Sequence, residues 1–328
     1  MKSDDVSFLT AAWARGLLPP ADLTISQWAD RYRLLPRGSA EPGPYRTDRT
    51  PFWREPMNSL SSSSRVKEVY IMKASQMGAT EAGVLNPIGY YIHYDPSEIL
   101  VVWSGEKMVD KNSKTRIDPM IESTPVIQET IVKKRTQDGG NTTRLKMFPG
   151  GSRGVGNVGS IGDLISSPKR IAIGDEIDEW PDDLSGRGDP WTLLLKRQRT
   201  YPNAKAVAVS KPSVKGRSKI EGGYLSGDQR KYFVPCPHCG EYQVLVWPQM
   251  KWEKNKKTKE RDVWYECPYC NGKIKNYHKE LMLWKGKWQP TNPRADPKLP
   301  YRLPLCSRRL DHLGIPGGAV AGLPGKYQ

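Results

Sequence analysis

Two short segments of the chain combine residue types that bind phosphate and activate water. The first, MKASQMGATEA at residues 72–82, follows an apolar run and contains Lys73, Gly78, Ala79 and Thr80. A loop between a strand and a helix can cradle a triphosphate, because its backbone N–H groups and the helix N-terminus point at the anion. The usual phosphate loop has glycine where Lys73 stands and lysine where Ala79 stands. The pattern alone therefore favours an ordinary strand–turn–helix junction.

The second segment, RIAIGDEIDEW at residues 170–180, changes this interpretation. An apolar strand that ends in Asp175-Glu176 can deliver one carboxylate to Mg²⁺ and the next to the attacking water. In this Walker B arrangement Asp175 would hold the metal, and Glu176 would orient or deprotonate the water. A strand that merely ends in a polar turn is the alternative. Because the loop and the acidic strand, about 100 residues apart, support each other, we predict a P-loop NTPase.

The pairing of loop and acidic strand assigns roles within the loop. The Thr80 hydroxyl stands at the position that binds Mg²⁺, and the Lys73 ammonium could swing from the front of the loop to the β- and γ-phosphates of ATP. Lys73 and Glu176 are the predicted catalytic residues. The residues predicted to bind ATP and its Mg²⁺ are Lys73, Gly78, Ala79, Thr80 and Asp175.

Polar residues also follow the next strand. SKPSVKG at residues 210–216 stands where such enzymes sense the γ-phosphate and couple hydrolysis to movement, and Ser210 is the candidate coupling residue. A plain loop is an equally good interpretation. Asp178 and Glu179, beyond the acidic pair, are interpreted as solvated or structural.

Four of the five cysteines form two CPxC turns separated by 27 residues, and Cys306 stands alone. Two such turns can present four thiolates to one tetrahedral Zn²⁺, so we predict a structural zinc ribbon in which His238 is not a ligand. The predicted zinc ligands are Cys236, Cys239, Cys267 and Cys270. The basic stretch KWEKNKKTKERD at residues 251–262, between the turns, is either a DNA-contacting finger or a solvated hairpin.

An alternation of strands and helices must position these residues. Apolar runs at 66–72, 98–104, 170–176 and 204–210 are separated by helical patterns, which indicates a mostly parallel α/β sheet flanked by helices. Residues 22–35 predict a helix whose N-cap is Ser26. The predicted fold class is therefore a P-loop NTPase with a small zinc-ribbon module.

Composition restricts the partners. Lys and Arg number 51 against 35 Asp and Glu, a net charge of +16 that favours a polyanionic partner. The sequence has no run of 18 apolar residues, so we expect no membrane-spanning helix. Acidic residues precede the short apolar part of the N-terminus, which is not typical of a signal peptide. We therefore expect a cytoplasmic protein.

Six segments, in matching order across about residues 22–304, resemble the lambda-type (GpA-like) terminase large subunit. They are SAEPGPYRTDRTPFWREPM, KASQMGATE, FPGGS, RIAIGDEIDEW, GDPWTLLLKRQRTY and the run from SKPSVKG to YQVLVW. The resemblance implies a RecA/ASCE-like ATPase that packages double-stranded viral DNA in the bacterial host cytoplasm. It also implies a terminase small subunit, a portal ring and further copies of the chain as partners.

The resemblance also assigns residues. It implies that Lys73 replaces the usual Walker A lysine, that Asp175 and Glu176 form the Walker B pair, and that Tyr45 contacts adenine. Two positions depart from the family pattern: Gln76 stands where some members have arginine, and Ala79 where others keep lysine. Two alternatives therefore stay open, a catalytically inactive DNA-binding or assembly remnant of a prophage and a helicase-like DNA translocase.

The expected domain organisation follows from changes in composition and periodicity along the chain. It comprises an N-terminal helix and connector (1–50), an ATPase domain (51–231), a zinc-ribbon module (232–285), a linker (286–304) and an aberrant tail (305–328). The family has a nuclease domain after this linker, and we expect no nuclease activity from this chain. The tail lacks periodicity, and a shift of reading frame is our hypothesis for it.

Overall fold

A computed structural model describes residues 22–131, 142–254 and 261–292, together with the backbone of 302–306. The N-terminal residues 1–21, residues 132–141, the centre of the basic stretch (255–260), residues 293–301 of the predicted linker and the tail from 307 lie outside the described residues. The frame-shift hypothesis for the tail 305–328 therefore falls outside the described residues except for the backbone of residues 305 and 306 in the last strand. Within the described residues no helix is long and apolar enough to cross a membrane.

A large mixed sheet forms the centre of the molecule, and a short hairpin and a three-stranded sheet accompany it. In chain order the strands are β1 (Leu34–Leu35), β2 (Gly43–Pro44), β3 (Glu68–Met72), β4 (Ile99–Trp103), β5 (Leu145–Phe148), β6 (Gly151–Asn157), β7 (Ile171–Asp175), β8 (Lys205–Ser210), β9 (Arg230–Pro235), β10 (Tyr242–Gln243), β11 (Met250–Lys254), β12 (Arg261–Glu266), β13 (Lys273–Ile274), β14 (Lys287–Gln289) and β15 (Arg302–Cys306). The central order is β10-β9-β15-β3-β8-β7-β4-β6-β5.

Helices cover the sheet and connect its strands. They are α1 (Ile25–Tyr32), α2 (Arg54–Ser59), α3 (Asn86–His93), α4 (Glu106–Asn112), α5 (Asp118–Ser123), α6 (Pro125–Thr130), α7 (Ile161–Ile165), α8 (Pro190–Lys196), α9 (Lys219–Leu225) and α10 (Lys279–Trp284). A π-helical turn at Glu81–Leu85 leads into α3, and another at Ser113–Ile117 joins α4 to α5. The predicted α/β fold class, with a mostly parallel sheet flanked by helices, is confirmed.

The helix predicted over 22–35 exists as the shorter helix α1, and the prediction of Ser26 as its N-cap is wrong. Thr24, not Ser26, is the N-cap of α1, because the Thr24 side chain accepts from the backbone N–H of Gln27 while the Gln27 side chain accepts from Thr24 N. This reciprocal pair is a capping box, which a predicted Ser26 cap would not have formed. α1 packs closely on α3, where a Cβ on Gly89 would lie 2.3 Å from the Trp28 ring.

The inner strands are apolar along their whole length because both faces of the sheet are covered. Alternate residues of β3 and β8 enter different cores: Ile71 and Val207 pack with α1, α2 and α3, whereas Tyr70 and Ala208 pack with α8 and α9. Burying one such large side chain contributes about 1.5–3 kcal/mol. The two cores hold the strand ends, and hence the polar loops after them, in fixed positions.

The order of the parallel strands brings the predicted site together. β8 pairs in parallel with β3 on one side, where Met72 faces Ser210, and with β7 on the other, where Asp175 faces Val209. The carboxyl ends of all three strands therefore meet at one edge of the sheet. This is the edge at which ligands bind in open α/β sheets.

The cysteine-rich segment is joined to the main sheet through its first strand. β9, which leads into the first CPxC turn, pairs in parallel with β15 and antiparallel with β14 and β10. Trp288 on β14 also donates its indole N–H to the carbonyl of Phe52 at 2.7 Å. β11, β12 and β13 form a separate antiparallel sheet beyond the turn.

Candidate functional site

The loop after β3 has the backbone of a tight turn that leads into a helix. Gln76 and Gly78 have positive φ angles of 57° and 75°, and both residues are exposed. The indole N–H of Trp53 donates to Met77 O at 2.6 Å and fixes the tip of the turn. Helical hydrogen bonding starts with Ala82 N to Gly78 O at 3.1 Å. The loop thus presents exposed backbone immediately before a helix N-terminus, as a phosphate cradle requires.

The side chains at the two usual Walker positions differ in exposure. Ala79, which stands at the lysine position, is 2% exposed and belongs to the apolar core around α1 and α3. Thr80 is half-buried. Ala79 therefore packs the helix against the core, and the cation of the loop must come from elsewhere.

Lys73 supplies that cation. Its backbone N–H donates to Ser210 O at 3.0 Å, and its ammonium lies 2.8 Å from Glu176 Oε1. The Lys73 side chain is 8% exposed and that of Glu176 30%. The two predicted catalytic residues, 103 positions apart, thus form a partly buried ion pair.

Glu176 has a left-handed backbone, with φ 51° and ψ 52°. This conformation is uncommon for a non-glycine residue and concentrates at functional sites. It lets the Glu176 backbone N–H donate to Val209 O at 2.6 Å, while Oε2 accepts from Lys211 N at 3.2 Å. One residue therefore connects the carboxyl ends of β3, β7 and β8.

Asp175 is buried and only partly satisfied. Trp103 donates its indole N–H to Asp175 Oδ2 at 3.1 Å, whereas Oδ1 has no hydrogen-bond partner among the described residues. Burial raises the pKa of Asp175 above its ordinary value, although the Trp103 hydrogen bond opposes this and the neighbouring Glu176 adds to it. A buried carboxylate oxygen without a donor fits a cation ligand, because a cation would remove the cost of its desolvation.

Ser210 lies between the two acidic residues of the adjacent turn. Its hydroxyl lies 3.5 Å from Glu176 Oε2, donates to Lys211 O at 2.9 Å and accepts from Asp178 N at 3.2 Å. The structure thus places the predicted coupling residue in contact with the predicted catalytic carboxylate.

The sequence left the role of Asp178 open, whereas the structure shows it as a hydrogen-bond acceptor for the neighbouring loop. Its carboxylate accepts from Ser213 N at 2.7 Å, from Ser213 Oγ at 2.9 Å and from Ile220 N at 2.8 Å. Partial burial would raise the pKa of Asp178, but the hydrogen bonds from Ser218, Ile220 and Ser213 outweigh it and lower the pKa. Asp178 therefore fastens the loop after β8 to the acidic turn after β7. The position of Asp178, two residues beyond Glu176, was the only signal in the sequence.

Tyr45, the predicted adenine contact, lies in the apolar core. Its ring is 7% exposed, and its hydroxyl lies 4.0 Å from Met57 Sδ. Burial raises its pKa to about 12. A base could contact only the small exposed part of this side chain.

The four predicted zinc ligands converge. Their sulfur atoms all lie within 4.8 Å of one another, with Cys236–Cys270 at 3.8 Å and Cys239–Cys267 at 3.9 Å. A tetrahedron with Zn–S bonds of about 2.3 Å has sulfur–sulfur distances of about 3.8 Å. His238 points away from ligation, since its Nε2 lies 3.0 Å from Lys273 O. The donor set and spacing therefore fit Zn²⁺.

Comparisons with known proteins show the family to which the chain is similar. The family described as phage terminase large subunit gpA, ATPase domain, matches residues 39–288. The chain is 29% identical over 293 residues to the terminase large subunit of Enterobacteria phage P21, a match that covers 84% of this chain and 44% of that protein. It is 28% identical over 238 residues to the terminase large subunit of Escherichia phage lambda, covering 71% of this chain and 36% of that protein. The matches thus span less than half the length of these relatives.

One comparison is with a solved structure. The large terminase of bacteriophage HK97 superposes with a TM-score of 0.48 at 12% identity, covering 62% of this chain and 41% of that one.

Proposed function

Because the chain belongs to the family of ATPase domains of the phage terminase large subunit gpA, we propose that it hydrolyses ATP to drive DNA packaging. One observation carries the enzymatic part of this proposal. Lys73, Asp175, Glu176 and Ser210 occupy one edge of the sheet, beside an exposed turn that leads into a helix. A cation, a metal-binding carboxylate and a base are groups that phosphoryl transfer to water uses, and Ser210 is the proposed coupling residue beside them.

The ion pair defines the proposed step of each side chain. Lys73 exchanges Glu176 for the β- and γ-phosphate oxygens of ATP, whose charge it neutralises. Glu176, released from Lys73 but still held by Lys211 N, orients the attacking water and accepts its proton. Ser210 responds to the release of Glu176 from Lys73, because the Ser210 hydroxyl contacts the same carboxylate.

Asp175 and Thr80 are the proposed ligands of Mg²⁺. Oδ1 of Asp175, which has no hydrogen-bond partner among the described residues, and the hydroxyl of the half-buried residue Thr80 are hard oxygen donors of the kind that Mg²⁺ prefers. When bound, Mg²⁺ would neutralise the charge on the phosphate oxygens. Gly78, and Ala79 through its backbone, are the proposed phosphate-loop contacts, and Tyr45 is a proposed contact of the adenine.

Zn²⁺ is proposed as a structural ion. Four thiolates leave no open coordination position, so the ion would hold the two CPxC turns together without taking part in catalysis. Because β9 carries the first turn and also belongs to the main sheet, this ion would also fix the edge of the ATPase sheet.

The partners of the motor follow from the family. We propose double-stranded DNA as the polymer that is moved, and a terminase small subunit, a portal ring and further copies of this chain as assembly partners in the host cytoplasm. The net charge of +16 supports the DNA partner, because cations that neutralise phosphates release counterions. We propose the boundaries 51–231 and 232–285 for the ATPase domain and the zinc-ribbon module.

ATP turnover with and without double-stranded DNA tests the proposed function. Wild type should turn over ATP, and DNA should accelerate it, whereas Glu176→Gln should lose at least about a hundredfold of the rate, the usual scale for a general base. Glu98→Gln is the matched control, because Glu98 forms a similar pair with Lys169 at 3.0 Å. Equal rates in wild type and Glu176→Gln, or no turnover in either while DNA is still bound, would overturn the proposal and favour an inactive DNA-binding module.

A further inference from the structure

The hairpin β11–β12 has an exposed apolar pair on one face. Trp252 and Val263 are direct cross-strand partners, and they are 57% and 45% exposed. Towards the main body the same face continues into Met250 and Tyr265, which are buried in the core. The hairpin is thus anchored by one half of this face and displays the other half.

Beyond the apolar pair the same face carries two cations opposite each other. Lys254 pairs with Arg261 in the register, both are exposed, and neither has an ion-pair partner among the described residues. Like charges directly opposite in a hairpin are destabilising. We name Trp252, Lys254, Arg261 and Val263 the outer face of the hairpin.

The opposite face of the hairpin differs in its charged pair and in its tryptophan. Its like-charged pair, Glu253 and Asp262, is relieved by an ion pair from Lys275 to Asp262. Its tryptophan, Trp264, is buried beneath Lys273, whose ammonium lies 4.0 Å from the centre of the ring. On this opposite face Trp264 is covered and Asp262 is paired with Lys275, whereas the outer face carries an exposed indole beside two cations that have no ion-pair partner among the described residues.

We propose that the outer face of the hairpin binds a DNA strand. Lys254 and Arg261 contact consecutive phosphates, and the Trp252 indole packs against a deoxyribose or an unstacked base, with Val263 beside it. A polyanion relieves the repulsion of the two cations, and an aromatic ring beside cations is the combination found on proteins that bind nucleic acid strands. The choice of DNA rests on the proposed function, whereas the preference for a polyanionic strand rests on the hairpin itself.

Binding of labelled DNA to the full chain tests the proposal, measured by fluorescence anisotropy with single- and double-stranded oligonucleotides over a series of salt concentrations. Lys254→Ala combined with Arg261→Ala should weaken binding at least about tenfold and reduce the salt slope by about two, since each phosphate contact contributes about 0.9 to the slope. Trp252→Ala should weaken binding to single strands about tenfold, and binding to duplex less, because stacking needs an exposed base.

Lys251→Ala is the matched control, since Lys251 lies on β11 but on the opposite face. It should change the affinity less than twofold. A loss for Lys251→Ala as large as that of the Lys254→Ala, Arg261→Ala double variant, or unchanged binding in all variants, would overturn the proposal.

Turnover of ATP without DNA, measured on the same variants, separates this proposal from the proposed function. DNA binding that depends on the outer face in a chain without turnover would retain the hairpin proposal and reject the ATPase. Normal ATP turnover together with DNA binding that does not depend on the outer face would reject the hairpin proposal and retain the ATPase. Because all the substituted side chains are exposed, the melting temperatures should stay near that of wild type, which checks that each variant folds.

Discussion

Removing the carboxylate of Glu176 should destabilise the free protein and strengthen its binding of ATP. Lys73 is buried beside Glu176 at 2.8 Å, and Glu176→Ala leaves its ammonium without that partner. Breaking a fully buried pair from one side costs about 3–5 kcal/mol. Because Glu176 is 30% exposed, water replaces part of the contact, and we expect a loss of about 1–3 kcal/mol.

Glu176→Ala should also increase the affinity of the protein for ATP. In wild type, ATP must separate Lys73 from Glu176, whereas in Glu176→Ala the ammonium is already free and the repulsion between carboxylate and phosphate is gone. If about 1.4 kcal/mol of the loss is regained on binding, the affinity rises tenfold. Glu176→Gln keeps an acceptor for Lys73 and should lie between the two.

The measurements are urea unfolding without ligand and calorimetric binding of a non-hydrolysable ATP analogue. Glu98→Ala is the control, because the Lys169–Glu98 pair has similar exposure, 12% and 35%, but precedes β7 and β4 and so lies at the opposite edge of the sheet. It should cost similar stability and leave the affinity unchanged. An unchanged or weaker affinity in Glu176→Ala, or an equal gain in Glu98→Ala, would refute the competition between Glu176 and phosphate for Lys73.

Two further results are expected. Asp178→Asn should lower the free energy of unfolding by about 1–2 kcal/mol at pH 7, because the carboxylate accepts three hydrogen bonds. Its pKa is lowered in the folded state, so this stability is present above the unfolded pKa of about 3.9, and the difference from wild type should shrink as the pH falls below about 4 in urea titrations. Asp178→Asn should also reduce the stimulation of ATP turnover by DNA, whereas Asp189→Asn, which removes similar bonds to Thr192, should not. Chelation of zinc should release one ion per chain and lower the melting temperature, and an unchanged melt would exclude a structural role.

Four central strands of the sheet, β3, β4, β7 and β8, could be predicted because their apolar runs are continuous. EVYIM, ILVVW, IAIGD and KAVAVS are buried along almost their entire length, and only a strand covered on both faces needs such a run. The convergence of the four cysteine sulfurs could be predicted because each CPxC turn holds two sulfurs close together. In both cases the information lies within a few neighbouring residues.

The contacts of the site could not be predicted in this way. The approach of Lys73 to Glu176 depends on β8 lying between β3 and β7, an order that no local pattern specifies. Trp103 was missed for the same reason, because its contact with Asp175 depends on the pairing of β4 with β7. The pairing of β9 with β15 was also missed, since the change of composition near residue 232 suggested a separate module.

The left-handed backbone of Glu176 explains how one bound ligand could act on two loops. This conformation directs the backbone N–H to Val209 while the side chain contacts Lys73, Ser210 and Lys211. If phosphate draws Lys73 away, the carboxylate of Glu176 loses its strongest contact and shifts towards the end of β8. Ser210 meets the backbone of Asp178, whose carboxylate holds Ser213 and the start of α9, so the shift reaches the whole loop. Because each of these contacts is a hydrogen bond of defined direction, we expect that a small movement at a bound nucleotide would displace the whole loop.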